Sequence, residues 1–576
     1  MRGETMEQKL TGYPSIDRPW MKYYSEEARN ATLPECTIYE YLYEKNKMHL
    51  DDVAMVYVGR NITYRELFGN INKTAVAFSE EGIGPDDIVT IIAPSIPEII
   101  YSFYALNKLG AVSNFIDPRK SLGEVEEALS VMKTKACIVL DDMWEKFYEV
   151  LNKHASLLIS VTIADSLPVI PKTLVWLKRK MKRHQEIISW KELRAKYVNS
   201  PKEVISYYQP NKMALLEYTG GTTGVSKAVM LSNENVNSVV EQTVYSGVPI
   251  KRGESWLAIA FPFTAYSIIC SQHMPLSLGV KAYLCFDLDV KKIEKQLKKT
   301  RANHMANTPI VWEQLTNSKS AKNMNFGFII APTVGADSLN IQKEREINTF
   351  LENHNCKYKL LKGYGMTEVG SGVCITPNNE VNKLGSVGIP FNLTCVSIFD
   401  LETGEELPYG EQGEICMTGP SVMLGYYNND KASQEVLRRH SDGQTWMHSG
   451  DLGHMDEDGF LYIDGRIKRM VINHMGFKIF APVVEEVVCT VSEVEKCCVV
   501  GINDTVHNAG QVPVVFVIPR ENANRYELRK DIMACCERQL PTYSYPQKIV
   551  FIEEFPYTSA AKVDYRKLEK EAEEIK

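Results

Sequence analysis

A chain of 576 residues with 44% hydrophobic content carries enough apolar material for packed cores, which excludes a disordered polypeptide, and its length allows about four domains at ~150 residues each. A net charge of -7, from 65 basic and 72 acidic side chains mixed along the chain, excludes nucleic acid as a bulk electrostatic partner. Thirteen cysteines without a C-x-x-C pair, a start (MRGETMEQKLTGY) lacking a signal-type apolar core, and no run of ~18 apolar residues predict a cytoplasmic protein with reduced thiols and no spanning helix.

The first fifty residues, with TIYEYLYEKNK, read as a helical lead-in. DIVTIIAPS then reads as a buried strand and turn, and IPEIIYSFYALNKLGAV as a helix ending at Gly110. KACIVLDD, KAYLCF and FGFIIAP repeat the strand signal, and strands spaced by helices predict largely parallel sheets with helices on their faces. Ligands collect at the carboxyl ends of such strands. PKTLVWLKRKMKRH (Pro171–His184) places six Lys/Arg among Leu174, Trp176, Leu177 and Met181. It reads as a solvated surface helix, with weak peripheral contact to an anionic membrane as the alternative. After about residue 385, CVSIFD, GEICMTG and GFLYIDG read as short strands with hairpin turns. A compact α/β pattern follows from RMVINHMGF, which places a domain joint near Gly465–Lys468.

YTGGTTGVSKAVML (Tyr218–Leu231) combines three glycines, three threonines, a serine and a lysine. Free N–H groups, hydroxyls and one cation suit a phosphate. The P-loop pattern G-x-x-x-x-G-K-[ST] fails, because Ser226 precedes Lys227 and Ala228 follows it. Four further motifs come in order: GYGMTE (Gly363–Glu368), HSGDLG (His448–Gly453), DGRIKRM (Asp464–Met470) and PYTSAAKVDYRKL (Pro556–Leu568), with GRNITYRELF (Gly59–Phe68) upstream. On these motifs the chain resembles the adenylate-forming superfamily of acyl-CoA synthetases, peptide-synthetase adenylation domains and firefly luciferase. The resemblance implies an α/β fold. It consists of a large N-terminal domain (1–466) of mixed and parallel sheets flanked by helices, with a β-rich subdomain, and a small mobile α+β domain (467–576) hinged near Lys468.

The resemblance also implies roles. Thr219, Gly220, Gly221, Thr222, Thr223, Gly224 and Lys227 would wrap the β- and γ-phosphates of ATP, with Lys227 the cation. In Gly363, Tyr364, Gly365, Met366, Thr367 and Glu368, the tyrosine would stack near adenine and Thr367 would contact the α-phosphate; Glu368, with Thr222, would hold Mg²⁺. Ala336 would line the adenine and acyl pocket, Asp451 would accept the ribose hydroxyls, and Arg466 would hold ribose and phosphate. Phe263, Thr264, Gly335 and Gly365 would face the acyl group. Lys562 matches the late lysine of P-x-T-x-x-G-K, with Ala561 in place of the glycine. A carboxylate attacking a phosphate brings two anions together, so positioning and charge neutralisation matter more than a nucleophilic side chain. In the second half-reaction, Lys468 would be the hinge and Gly476, Phe477 and Lys478 the loop brought to the acyl-adenylate.

Several positions depart from the pattern. Gly220, Ser226, Ala228 and Ser449 are small-for-small changes, the Arg466–Gly476 segment is one residue longer than usual, and Val483 stands where a Glu is common. FPFTAYSII lacks the usual histidine after P-x-F. Phe263-Thr264 replaces the Phe-Asp that pairs an α-amino group, and burying an ammonium without a carboxylate is costly, so the expected substrate is a fatty or aryl carboxylic acid. With no carrier segment before Lys576, the expected acceptor is coenzyme A. The alternatives are a separate acyl carrier protein, a nucleotide-binding pseudo-enzyme and a luciferase-like oxidation.

Overall fold

IVTII (Ile88–Ile92) is buried at every position, and a strand apolar on both faces is satisfied only inside a parallel sheet covered on both sides. It pairs in parallel with Val112–Phe115 on one side and Thr134–Leu140 on the other. A computed structural model of the chain describes residues 10–168, 184–219, 226–258, 262–285, 292–507, 509–557 and 563–575. Gly220, Gly221, Thr222, Thr223, Gly224 and Lys562, and the basic run from Pro171 apart from His184, lie outside those residues.

Among the described residues, Ile88–Ile92 belongs to an eight-stranded sheet, and a nine-stranded sheet stands beside it. Both are parallel through their middles and antiparallel at an edge. Met213–Tyr218 turns back into Ala228–Ser232, and Leu361–Tyr364 pairs antiparallel with Cys374–Ile375. One continuous apolar core joins residues of both sheets through the helices Ile38–Asn46, Tyr64–Glu80, Pro97–Lys108 and Asn233–Tyr245. Pro97 opens its helix at the position where a missing N–H costs nothing, and Pro97–Asn107 are all buried, as expected of a helix packed on every side.

The β-rich texture after residue 385 is a five-stranded sheet of Cys395–Phe399, Gly413–Thr418, Leu437–Arg439, Thr445–Met455 and Leu461–Arg466. The lead-in is divided between two bodies. Ile38–Asn46 joins the large core, whereas Trp20 and Tyr24 pack with the five-stranded sheet, where the Tyr24 hydroxyl donates to Pro390 O at 2.8 Å. The chain leaves that sheet at Arg466. Beyond it lie a hairpin of Met470–Ile472 and Lys478–Phe480, a three-stranded sheet (Val494–Asn503, Gln511–Pro519, Lys548–Phe551), and helices Ala481–Cys489, Arg525–Gln539 and Tyr565–Glu574. Arg469 secures the start of this unit by pairing with Glu485, with its guanidinium 3.9 Å from the centre of the Tyr565 ring.

One expected strand is displaced. FGFIIAP does not extend from Phe326: the strand starts at Ala331, and Phe326–Ile329 form a turn closed by Ile329 N–H donating to Phe326 O at 2.9 Å. Phe326 and Ile329 are buried from within that turn, which makes an apolar run without a strand.

Beneath Gly363, Lys362 and Glu344 form an ion pair with both side chains almost wholly enclosed. The ammonium also donates to Lys383 O at 2.7 Å, and Glu344 accepts Gly385 N–H at 2.9 Å. Removing one partner leaves a buried charge uncompensated. Lys362→Met should therefore destabilise the fold by about 3–5 kcal/mol, and the double change Lys362→Met/Glu344→Leu should recover most of the loss. Equilibrium denaturation of the three proteins checks this.

Candidate functional site

The residues that flank the hydroxyl-rich loop end two antiparallel strands. Tyr218 pairs with Ala228 across them, and the strand ends are joined by reciprocal bonds. Thr219 N–H donates to Lys227 O at 3.0 Å, Lys227 N–H donates to Thr219 Oγ1 at 3.2 Å, and Ser226 Oγ donates to Thr219 O at 2.7 Å. The Lys227 ammonium then projects over the Tyr426 ring, 4.6 Å from its centroid. Tyr426 is placed there by Gly425–Tyr426, a two-residue edge strand on Ala228–Ser232.

From the other sheet, Leu361–Tyr364 runs into Gly365 and a short turn, Thr367–Val369, that presents Glu368. A Cβ on Gly365 would lie 1.9 Å from Ser371 O, so this turn admits only glycine. The Tyr426 hydroxyl donates to Glu368 Oε1 at 2.8 Å, and Met423 N–H donates to the Glu368 carbonyl at 2.9 Å. Burial first, and then the Glu368 charge and hydrogen bond, push the Tyr426 phenol far up, so it remains a neutral donor. Lys227 and Glu368 therefore converge on one phenol. Tyr426 is a residue that sequence reasoning missed; its nearest signal is the Gly425-Tyr426 pair in LGYYNN.

The neighbouring strand ends complete the floor. Gly335 N–H donates to Asn307 O at 3.1 Å, and a Cβ on Gly335 would lie 3.1 Å from Gly363 O, which brings Asn307, Gly335 and Gly363 into one row. Ala336 follows with φ +66°, a left-handed backbone that turns the chain sharply out of the sheet.

Asp451 arrives from the five-stranded sheet. The buried Tyr364 hydroxyl donates to Asp451 Oδ2 at 2.8 Å, and Arg466 Nε lies 2.7 Å from Oδ1, its residue being the cross-strand partner of Asp451. Tyr364 is thus 7% exposed, with its ring in the core and its phenol on Asp451. Behind this loop, Gly450 N–H donates to Glu414 Oε1 at 2.9 Å, and Glu414 Oε2 lies 2.8 Å from His448 Nδ1. His448 Nε2 is 2.9 Å from His440 Nε2.

On the acyl side, Thr264 acts as a helix cap, donating to Ser267 Oγ at 2.6 Å and accepting Ser267 N–H at 3.3 Å. The segment it starts, Tyr266–His273, is wound as a π-helix. Its Cys270 Sγ stands 2.9 Å from Ser371 Oγ, which joins this segment to the Gly365 turn. Phe263 lies under the Arg119 guanidinium at 5.2 Å.

Thr219, Lys227, Gly335, Ala336, Gly363, Tyr364, Gly365, Glu368, Asp451 and Arg466 thus form one connected neighbourhood, with Met366 and Thr367 in the Glu368 turn. The proposed acceptor loop has other partners. Gly476 makes the turn at φ +81°, Phe477 stacks on Tyr543 at 4.5 Å, and Lys478 pairs with Glu402 at 2.9 Å. Lys468 sits in the turn after Arg466.

Two family models match this chain: AMP-binding enzyme over residues 42–427, and the AMP-binding enzyme C-terminal domain over residues 483–562. The chain belongs to the AMP-binding enzyme family. Among its curated relatives, a long-chain-fatty-acid–CoA ligase of Bacillus subtilis (strain 168) is 27% identical over 570 residues, covering 97% of this chain and 98% of that protein. One with the same name from Salmonella typhimurium is 28% identical over 544 residues, covering 91% and 92%. The structure of ATP-bound MatB from Rhodopseudomonas palustris superposes with a TM-score of 0.80 at 20% identity, covering 94% of this chain and all of that one. The α/β architecture is therefore that of adenylate-forming enzymes.

Burial alone would raise the Glu414 carboxyl, but the His448 hydrogen bond and charge, followed by Gly450 N–H, outweigh it and hold the group below its ordinary 4.5. A depressed carboxylate contributes its stability above the unfolded pKa and loses it as pH falls through the folded value. Acidification below about 4.5 should therefore weaken the Asp451 loop, and Glu414→Gln should flatten that part of the stability profile. Thermal unfolding of both proteins from pH 3 to 7 reads the difference, in ~0.5-unit steps.

Proposed function

We propose that this protein activates a fatty carboxylic acid with ATP and passes the acyl group to coenzyme A. The observation that carries the reading is the convergence of Lys227 and Glu368 on Tyr426, beside the hairpin tip and at the ends of parallel strands. The near full-length similarity to proteins named long-chain-fatty-acid–CoA ligase supports the same reaction.

In the first half-reaction a carboxylate oxygen bonds to the α-phosphorus of ATP, the α–β bridging bond breaks, and pyrophosphate leaves. Lys227 and the loop from Thr219 would hold the departing pyrophosphate, with Thr222 and Thr223 as its hydroxyls. Asp451 would orient the ribose, with Tyr364 and Arg466 fixing both its oxygens. Glu368 fits Mg²⁺: one oxygen is held by a neutral phenol, and among the described residues the carboxylate has no cationic partner. The ion, when bound, would neutralise phosphate charge. Lys562 would stabilise the charge that develops on the α-phosphate. In the second half-reaction the thiol sulfur attacks the acyl carbonyl carbon and AMP leaves with the bonding pair. We assign 1–466 to the ATP- and acyl-binding domain and 467–576 to a domain that turns about Lys468, carrying Gly476–Lys478 to the acyl group. The cysteines are thiols rather than disulfides, which suits a reducing cytoplasm. Among the described residues no helix is long and apolar enough to cross a membrane.

Pyrophosphate release with ATP and Mg²⁺ across a panel of carboxylic acids, each with and without coenzyme A, tests the reaction. Turnover dependent on one acid class and on coenzyme A is expected. Slow release indifferent to coenzyme A would transfer the acceptor role to a carrier protein, and silence with every acid would overturn the assignment.

The residue roles separate in single variants. Lys562→Ala should slow adenylation by about 10²–10³-fold yet spare thioester formation from presynthesised acyl-adenylate. Equal losses in both steps would remove it from that role. Asp451→Ala should raise the KM for ATP more than it lowers turnover with saturating ATP.

A further inference from the structure

We propose that His474, Asp504 and His507 form a binding site for one divalent d-block cation, with Zn²⁺ as its probe. The three residues come from two turns that are distant in sequence. His474 lies in the turn between strands Met470–Ile472 and Lys478–Phe480, and Asp504 and His507 lie in the turn joining Val494–Asn503 to Gln511–Pro519. Gly510 presses the second turn onto the first: its φ is +72°, and a Cβ there would stand 2.4 Å from His474 N. This contact is possible only for glycine, and it sets the two imidazoles face to face.

The rings lie 3.6 Å apart at 13°, and both turn Nδ1 towards a single oxygen. Asp504 Oδ2 is 2.7 Å from His507 Nδ1 and 3.4 Å from His474 Nδ1. One ligand atom from each residue lies within 4.8 Å of the other two. The other carboxylate oxygen, Oδ1, is occupied, accepting Val506 N–H at 2.9 Å and His507 N–H at 3.1 Å. Oδ2 is therefore the oxygen left for the nitrogens.

Two nitrogens and one carboxylate oxygen gathered this closely match the donor set that imidazole-preferring cations take. A divalent cation bound by both nitrogens and Asp504 Oδ2 would keep one net positive charge, because the two imidazoles are neutral donors when they ligate. The Asp504 side chain is 1% exposed, whereas those of His474 and His507 are 32% and 46% exposed. The site is therefore rooted in the fold yet open on one side, where water would complete the coordination. A bound cation would tie the turn carrying Gly476 and Phe477 to the neighbouring hairpin. The buried trio Glu414–Cys416–His448 offers no comparable site, because Glu414 and His440 already occupy the two nitrogens of His448.

Titration calorimetry of the full chain with Zn²⁺ under reducing conditions tests the proposal, alongside His474→Gln, His507→Gln and the Co²⁺ absorption spectrum. The wild type should bind one equivalent more than either variant, or bind it about 10–100-fold more tightly. Its Co²⁺ complex at this site should show d–d bands without thiolate charge transfer, and Zn²⁺ should raise its melting temperature in a way both variants lose. Both histidines are partly exposed, so metal-free melting temperatures near wild type will confirm that the variants fold. Identical stoichiometry and affinity in all three proteins would overturn the proposal. So would Co²⁺ bands that are wholly thiolate in character, which would assign binding to the cysteines.

Discussion

The bond between the Tyr364 phenol and Asp451 is the joint on which the site depends. Tyr364 closes a strand of the nine-stranded sheet, Asp451 sits within the five-stranded sheet, and the 2.8 Å contact between them is buried. A hydrogen bond to a charged acceptor in such a place contributes about 1.5–3 kcal/mol, but its directional consequence is larger. It joins two sheets that share an apolar cluster around the Tyr364 ring, and so sets Asp451 against the strand ends that carry Gly335, Gly363 and Glu368. Arg466, on the second oxygen, makes the last residue of the outgoing strand part of the same joint.

A second constraint works beneath it. The buried Lys362–Glu344 pair pins the strand Leu361–Tyr364 at its second residue, while Gly365 lets the turn that follows approach Ser371 O. These two constraints bracket the residues that lead to Glu368. On the opposite wall, the two strand ends that flank the hydroxyl-rich loop are tied to each other. Thr219, Ser226 and Lys227 tie them through main-chain and hydroxyl bonds that leave the Lys227 ammonium to the Tyr426 ring.

Much of this was legible in the sequence, for stated reasons. Strands such as Ile88–Ile92 announce themselves by unbroken β-branched burial, and the motif residues by glycine and hydroxyl chemistry at fixed order. What stayed hidden depends on pairing across the chain. Tyr426 matters because a two-residue edge strand sets it on Val229, and no local pattern predicts that register. The Phe326 turn was misread because burial alone does not distinguish a strand from a turn tucked under a helix. The Thr264 hydroxyl bonds Ser267, three residues on, a local contact that FPFTAYSII does not announce. His474 and His507 meet only because Gly510 lets two turns touch.

The division of the lead-in also bears on how the chain comes off the ribosome. Ser15 bonds to Glu406, the Tyr24 hydroxyl to Pro390 O, and Lys22 to Asp458, across separations of 391, 366 and 436 residues. Tyr24 therefore lacks its Pro390 acceptor, and Ser15 its Glu406 partner, until those distant residues have been made. Contacts of such range form late and leave apolar surface uncovered meanwhile. Trp20 and Tyr24, buried in the finished fold, are uncovered apolar surface until those partners exist.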